Sequence, residues 1–258
     1  MAIWQHQSLA DVVQETDVTD EACLFCSHDL RVLTAGGNVH EWNLNAFKVC
    51  DKCGWWSTYR MIPSAKHFEG ISRTLPGFRL EGACARLKKL DLADISNPAE
   101  EVRNYLVAKY EERFEVQPRK WEEVVGSVFK DLGYDVVITA YQHDEGIDII
   151  LSNDSDLVGV QVKRSKNRIQ VSQIRELAGA LLLGGYTKGC FVTTSDFTKG
   201  AEDAGVEYDT RGYPIELIDA PRFFDALYIT QRSPYSDDDF HVLAENCETV
   251  LIYEDFMD

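Results

Sequence analysis

Two short stretches, EGIDIIL (145–151) and LVGVQVKR (157–164), put polar groups where an ordinary half-buried strand would not. Strand alternation in the second buries Val158, Val160 and Val162 on one side and shows Gly159, Gln161 and Lys163 on the other. In the first, the same period turns Asp148 away from Ile147, Ile149 and Leu151. If the two strands pair, a carboxylate, an amide oxygen and an ammonium share one face. Carboxylates, the Gln161 amide and the Val162 backbone carbonyl are hard oxygen donors suited to Mg²⁺ or Mn²⁺. Lys163 beside them could orient an attacking water or neutralise charge building on a phosphate.

A helix must bring a further acid. In WEEVVGSVFKDL (121–132) the apolar stripe is Trp121, Val124, Val125, Val128, Phe129 and Leu132. At about 100° per residue Glu123 projects opposite that stripe, whereas Glu122 stacks at its edge and can reach over the sheet. Taken singly, each of these residues has an ordinary explanation. Lys163 alone reads as a snorkelling edge lysine, Gln161 as a polar edge residue, Asp148 as a turn acid and Glu122 as a solvated helix acid. The four together point to a catalytic site.

A second constellation lies upstream. ACLFC (Cys23, Cys26) and VCDKC (Cys50, Cys53) are CxxC pairs with a strand–turn–strand pattern, LRVLTAGGNVHEWNL, between them. Each CxxC turn offers two thiolates to one ion, and two turns make a closed tetrahedral Zn²⁺ site. Gly54 suits the tight turn of the second knuckle. A closed site leaves no coordination position for substrate, so this zinc is structural. His28 and His40 are near enough to substitute, but four thiolates already fill the shell. Cys84, Cys190 and Cys247 read as small core residues. Trp55, Trp56, Tyr59 and Arg60, after the second knuckle, either stack on bases or cover a small core.

The net charge of the 258-residue chain is −17, which excludes a broad polyanion-coating surface. The charge is nevertheless sorted: residues 161–175 hold five Lys/Arg and no acid, and residues 236–258 hold eight acids and no Lys or Arg. The acidic end reads as a solvated segment or, alternatively, as a nucleic-acid mimic covering the basic stripe. Arg164, Lys166, Arg168 and Arg175 lead out of the Lys163 site along the path a DNA backbone would take; otherwise they form a solvated loop. No apolar run approaches the ~20 residues of a membrane span, and the N-terminus lacks the pattern of a secretory signal. The chain is expected to be cytoplasmic, where seven cysteines argue for metal and core roles over disulfides.

The elements divide into an irregular zinc-ribbon-containing region over 1–95, a linking helix within 96–117, an α/β domain over 118–230 and an acidic segment over 231–258. Ser96 or Asn97 is expected to cap the linking helix, with Pro98 in its first turn. In the α/β domain the expected order is a helix at 119–132, strands near 134–140, 146–152 and 157–164, then a helix at 172–183. A strand at 189–194, a helix at 198–205, a strand at 214–218 and a helix at 220–228 complete it. That order makes a small mixed sheet flanked by helices.

WEEVV, DEGID and VQVK, followed by IRELAGALLLGG, KGCFVTTSDFTKGA and IELIDAPRF, resemble the Mrr-type branch of the PD-(D/E)xK nuclease superfamily over about 118–225. Trp121 stands where that branch usually has Phe, and Glu145 where it often has Gly. The resemblance implies a restriction-endonuclease-like core and Mg²⁺- or Mn²⁺-dependent hydrolysis of DNA phosphodiesters, in a prokaryotic restriction or anti-phage defence system. It assigns Asp148 and Gln161 to the metal, Lys163 to the transition state and the attacking water, and Glu122 as accessory acid. It also allows a homodimer, because such families often dimerise to cut both strands. A regulatory partner is expected on another ground: an ungated nuclease would endanger its host. His143 and Asp144 either touch the site from outside or belong to a solvated loop. Thr193, Thr194 and Ser195 either bind phosphate or end a strand. Gln161 in place of a carboxylate keeps open a DNA-binding module without turnover, and the ribbon with its acidic partner segment keeps open a protein–protein adaptor.

Overall fold

Along the chain the hydrophobic pattern changes from strand-only alternation to alternating helix and strand periods, and the computed structural model divides accordingly. One unit comprises Met1–Lys89 with Ser233–Asp258, the other Leu90–Arg232. The structure describes residues 3–8, 21–38, 43–67, 74–139, 146–153, 156–230 and 248–253. His40, His143, Asp144, Glu145 and Cys247 lie outside the described residues.

The first unit is a sheet larger than a ribbon. Strands β1 (Trp4–Ser8), β2 (Arg31–Asn38), β3 (Asn43–Val49), β4 (Trp56–His67) and β5 (Thr74–Leu87) lie in the order β1-β5-β4-β3-β2. The short irregular pieces expected here are therefore long paired strands. β4 runs for 12 residues and β5 for 14, and they pair antiparallel from Ser57–Cys84 to His67–Thr74. The expected strand–turn–strand between the knuckles is the β2–β3 hairpin, antiparallel from Arg31–Val49 to Asn38–Asn43. Residues 231–258 do not form only a solvated acidic segment. Glu248–Tyr253 is a strand, paired antiparallel with Gly77–Gly82 of β5. Val250, Leu251 and Ile252 supply the strand propensity that the acids around them masked.

Trp55 and Trp56 are buried, and the Trp55 indole N–H donates to the Ala85 carbonyl at 2.9 Å. The two tryptophans thus cover a core and offer no stacking surface to bases. Phe47, Val49, Ala83, Cys84 and Ala85 share that core. Arg60 is exposed.

The second unit opens with α1 (Ala99–Ala108) and a 3-10 turn over Tyr110–Phe114, so the expected single linking helix is broken at Lys109. Pro98 is its N-cap, with no side-chain cap. Asn97 and Ser96 serve the preceding turn instead: the Asn97 amide donates to the Asp91 carbonyl, and the Ser96 N–H donates to the Asp94 carboxylate. Then follow α2 (Pro118–Asp131), β6 (Asp135–Ile138), β7 (Ile149–Ser152), β8 (Leu157–Lys163), α3 (Val171–Gly184), β9 (Lys188–Thr193), α4 (Lys199–Thr210), β10 (Ile215–Ile218) and α5 (Ala220–Thr230). The strand order is β10-β9-β8-β7-β6. β6, β7 and β8 pair antiparallel, and β8, β9 and β10 pair parallel. Every expected element of this unit exists, with ends shifted by a few residues as capping and fraying allow.

Two apolar layers hold the sheet. On one face Ile147, Phe191 and Ile215 pack with Ile174, Leu177 and Leu181 of α3 and Ala201 and Ala204 of α4. Gly159 and Gly189 are register partners, and Leu181 seats over both. A Cβ at Gly159 would lie 2.6 Å from Leu181 Cδ2, and one at Gly189 2.2 Å from Leu181 Cδ1. The missing Cβ atoms are what let α3 close onto the strands. The other face carries α2, whose Gly126 lies against Val136 and Ile138 of β6. There Trp121 is fully buried and meets Phe223 of α5 edge-on at 5.1 Å. Arg103, buried on α1, ties this layer together: it donates to the Asp131 carboxylate at 2.6 Å and to the Thr230 hydroxyl at 2.8 Å.

Candidate active site

The site lies where β7 stops and β8 continues. β7 begins at Ile149, opposite Val160, so β8 runs on through Gln161, Val162 and Lys163 with no partner strand on that side. Asp148 takes the place of one. Its amide donates to the Val160 carbonyl at 2.9 Å, and its carboxylate accepts the Val162 amide at 2.6 Å. From the β6 side, the Thr139 amide donates to the Asp148 carbonyl at 3.0 Å, and the Thr139 hydroxyl reaches the Ile147 and Asp148 carbonyls at 2.8 and 2.9 Å. Asp148 is thus held by its backbone on both sides, and its carboxylate lies along the edge of β8.

That placement puts the Val162 carbonyl on the Asp148 side too. Amide and carbonyl of one strand residue leave the strand on the same edge, and the Val162 amide is directed at Asp148. The alternate residue, Lys163, turns to β9 instead: its carbonyl accepts from the Thr194 amide at 3.2 Å and the Thr193 hydroxyl at 3.0 Å.

Gln161 projects on the α3 face of the sheet, two residues along from Gly159. Its Oε1 is buried and meets no hydrogen-bond partner among the described residues. A buried acceptor left unsatisfied is costly and calls for a ligand. Its Nε2 lies 4.0 Å from where a Cβ of Gly146 would stand. Gly146 has φ +87°, in the left-handed region, so the turn into Asp148 requires glycine there.

The sequence places Ile147 with Ile149 and Leu151, and here the structure differs. Ile147 joins the α3 core, while Ile149 and Leu151 register with Ile138 and Val136 on the α2 face. The strand period breaks at Asp148, where the backbone turns into β7. That break frees the carboxylate to lie along the strand edge.

Glu122 sits on α2, against the face of the sheet opposite the one that carries Gln161 and Lys163. Its carboxylate accepts from Arg119 at 2.6 Å and is 13% exposed, whereas Glu123, held by Lys120, is 32% exposed. Both acids are half-buried, and each is held by a cation three residues earlier on the helix. Lys163 is exposed at the end of β8. So Asp148 and Val162 are brought into direct contact, Gln161 and Lys163 flank Val162 on the same strand, and Glu122 lies on the α2 side of the sheet, paired with Arg119.

The basic residues beyond β8 are less free than their sequence suggests. Arg164 donates to the Phe114 carbonyl. Lys166 pairs with Glu115 at 3.5 Å and Arg168 with Asp196 at 3.1 Å, both pairs more than half exposed and so weak. Arg175 lies exposed on the first turns of α3. Thr193 and Thr194 are fully buried and bonded within the strand ends, which is the strand-terminating role. The sequence reading passed over Arg113 and Arg119. Arg119 pairs with Glu122 and Arg113 donates to the Thr194 carbonyl, partners that only the fold reveals.

In the first unit the four sulfurs of Cys23, Cys26, Cys50 and Cys53 all lie within 4.8 Å of one another. The Cys23–Cys53 and Cys26–Cys50 separations are 3.5 and 3.4 Å. Tetrahedral Zn–S bonds of ~2.3 Å put sulfurs about 3.8 Å apart, so the cluster fits such an ion. The knuckles match each other in detail. Ser27 and Gly54, each four residues after the first cysteine of its pair, have φ of +54° and +76° and donate to the carbonyls of Cys23 and Cys50. Hydrogen bonding with Cys23 lowers Cys26 and Cys50 below an ordinary thiol. Sharing protons with Cys26 raises Cys23, and sharing them with Cys23 raises Cys53. Four thiols this close cannot all ionise without a cation among them.

Residues 114–227 match the Mrr-type restriction endonuclease family. This part of the chain is a restriction-endonuclease-like domain of the Mrr type. The chain is 30% identical over 143 residues to the type IV methyl-directed restriction enzyme EcoKMrr of Escherichia coli (strain K12), covering 52% of this chain and 42% of that protein. The chain therefore spans less than half of that relative's length. Among solved structures it is similar to the DNA modification-dependent restriction endonuclease AspBHI, with 15% identity and a TM-score of 0.33 over 66% of this chain and 56% of that one. It is also similar to the restriction endonuclease FokI, with 13% identity and a TM-score of 0.38 over 63% of this chain and 37% of that one. The matched segment falls wholly inside the second unit and includes Glu122, Asp148, Gln161 and Lys163. No helix among the described residues is long and apolar enough to cross a membrane.

Proposed function

We propose that this protein is a divalent-metal-dependent endonuclease that hydrolyses DNA phosphodiesters in a prokaryotic restriction or anti-phage defence system. The observation that carries the reading is the junction of Asp148 with β8. A carboxylate is held at 2.6 Å on the amide of Val162, the strand neighbour of Gln161, whose buried oxygen has no partner among the described residues and which lies two residues before Lys163 on the same face. Asp148, Gln161 and the Val162 carbonyl form an all-oxygen donor set that fits Mg²⁺ or Mn²⁺. When bound there, the ion supplies Lewis-acid polarisation of the scissile phosphate.

The chain's own groups do the rest. Lys163 holds the attacking water on the phosphate and balances the charge that accumulates on the phosphoryl oxygens as the new P–O bond forms and the bond to the leaving oxygen breaks. Glu122 is the accessory acid from α2. Arg164, Lys166, Arg168 and Arg175 neutralise DNA phosphates beyond the cut site. The four cysteines hold a structural Zn²⁺. The setting is the cytoplasm, where DNA and a reducing environment coexist, with a homodimer able to cut both strands and a protein partner able to restrain the enzyme.

The test is cleavage of supercoiled plasmid with Mg²⁺ by wild type, Asp148→Ala and Lys163→Ala. Wild type should cut, and both variants should cut far more slowly. Cleavage at full rate by both variants would overturn the assignment. Wild-type DNA binding without any cleavage would favour a binding module in which Gln161 marks lost turnover.

A further inference from the structure

Lys163 is the last residue of β8, exposed, and beyond the end of β7. A strand end held from one side only is a poor mount for a long ammonium side chain that must be placed closely. The structure holds it from β9, and the hold continues to a residue outside the family match. Thr194 is fully buried, its amide donates to the Lys163 carbonyl at 3.2 Å, and its hydroxyl accepts the Ser165 amide at 2.9 Å and donates to the Ser165 carbonyl at 3.0 Å. Thr194 thus fastens the residues on both sides of Arg164.

Thr194 is itself fastened by Arg113. The Arg113 Nε donates to the Thr194 carbonyl at 3.0 Å, and Nη1 donates to the Tyr110 carbonyl at 3.1 Å. Its guanidinium lies 3.8 Å from the centre of the Tyr110 ring and 4.1 Å from that of Phe114, and the side chain is only 12% exposed. The next two residues grip the same strand end. The Phe114 carbonyl accepts from Arg164, and Glu115 pairs with Lys166 at 3.5 Å. The 3-10 turn is therefore a clasp on the end of β8, with a stacked, planar donor at its centre.

We propose that Arg113 is a positioning residue for Lys163: it fixes Thr194, and through Thr194 the backbone from which the Lys163 ammonium reaches the scissile phosphate. This rests on the reading of Lys163 as the transition-state residue. Arg113 touches neither DNA nor the reacting atoms in this role.

The experiment compares Arg113→Ala, Arg113→Lys, Lys163→Ala and the Arg113→Ala/Lys163→Ala double variant in the full chain. Single-turnover cleavage with Mg²⁺ and equilibrium DNA binding without a divalent ion are both measured. Arg113→Ala should slow cleavage about 10- to 100-fold, because small displacements of catalytic groups cost that much, with DNA affinity within about twofold of wild type. The double variant should be no slower than Lys163→Ala, because the two residues act as one unit. Arg113→Lys keeps the charge but not the planar fork, so it should fall with Arg113→Ala. Additive losses, or lost affinity at an unchanged rate, would overturn the proposal.

Hydrogen exchange at the Thr194 and Ser165 amides reads the clasp whether or not the protein cuts DNA. Faster exchange in Arg113→Ala, without global unfolding, supports it, and unchanged exchange overturns it. If wild type fails to cut, the nuclease reading falls and the exchange result alone decides the clasp. If Arg113→Ala does not fold, Arg113→Lys supplies the same measurements.

Discussion

The carboxylate of Asp148 accepts the backbone amide of Val162 at 2.6 Å, so a catalytic candidate doubles as the last rung of the β7–β8 ladder. This double use separates two substitutions. Asp148→Asn keeps an oxygen for the Val162 amide and removes only the charge, so the protein should keep its melting temperature and lose cleavage by roughly 10²- to 10³-fold. Asp148→Ala removes both, leaves the Val162 N–H without that acceptor, and should also lower stability by about 1–3 kcal/mol. Thermal melts and plasmid cleavage on the same two variants check this.

The buried Oε1 of Gln161 predicts a metal-dependent stability. Gln161→Glu sets a second carboxylate near Asp148, with repulsion on the order of 1–4 kcal/mol when no cation is present. That variant should melt below wild type in EDTA and gain more than wild type on adding Mg²⁺, since an ion that binds only the folded state stabilises it. Equal melting responses of the two proteins to Mg²⁺ would place the ion elsewhere.

Gly159 tests the packing that sets the strand for Gln161 and Lys163. Its added Cβ would lie 2.6 Å from Leu181 Cδ2 and 3.0 Å from Ile147 Cδ1, so Gly159→Ala must shift those two side chains. A loss of about 1–3 kcal/mol in urea unfolding is expected. Combining it with Leu181→Ala, which vacates the notch, should recover part of that loss.

Arg175 is the exposed cation at the start of α3, while Lys166 and Arg168 already face Glu115 and Asp196. Arg175→Ala should weaken DNA binding regardless of sequence and reduce the slope of log affinity against log salt by about 1. Glu115→Gln releases Lys166 and should strengthen binding at low salt. An affinity titration over a salt series decides both.

The sulfur cluster predicts a zinc ion that colorimetric release assays will detect in the purified protein, absent from Cys26→Ser. Loss of the ion should speed hydrogen exchange in residues 23–28 and 50–55, where the knuckle turns close on the Cys23 and Cys50 carbonyls. Protection unchanged after metal removal would mean that the knuckles fold on their hydrogen bonds alone.

Local pattern was enough for much of this protein. The CxxC spacing announced four sulfurs because a two-residue gap sets their bite whatever surrounds it. The nine-element order of the restriction-endonuclease-like domain followed from hydrophobic periods. What tertiary structure decided is everything that depends on which edge or layer a residue meets. Residues 248–253 became a strand because β5 offered them a free edge, a partner about 170 residues earlier in the chain. Trp55 and Trp56 chose the core over the surface for the same kind of reason: a sheet formed over them. At the site, alternation foresaw Gln161 and Lys163 on one face, but it put Ile147 on the wrong side, because periodicity cannot see the break at Asp148 that turns the carboxylate along the strand. Nor could it see Arg113, whose role exists only where the 3-10 turn closes against Thr194. Periodicity is a property of neighbours in sequence, whereas a ladder edge, a clasp and an unsatisfied oxygen are properties of neighbours in space.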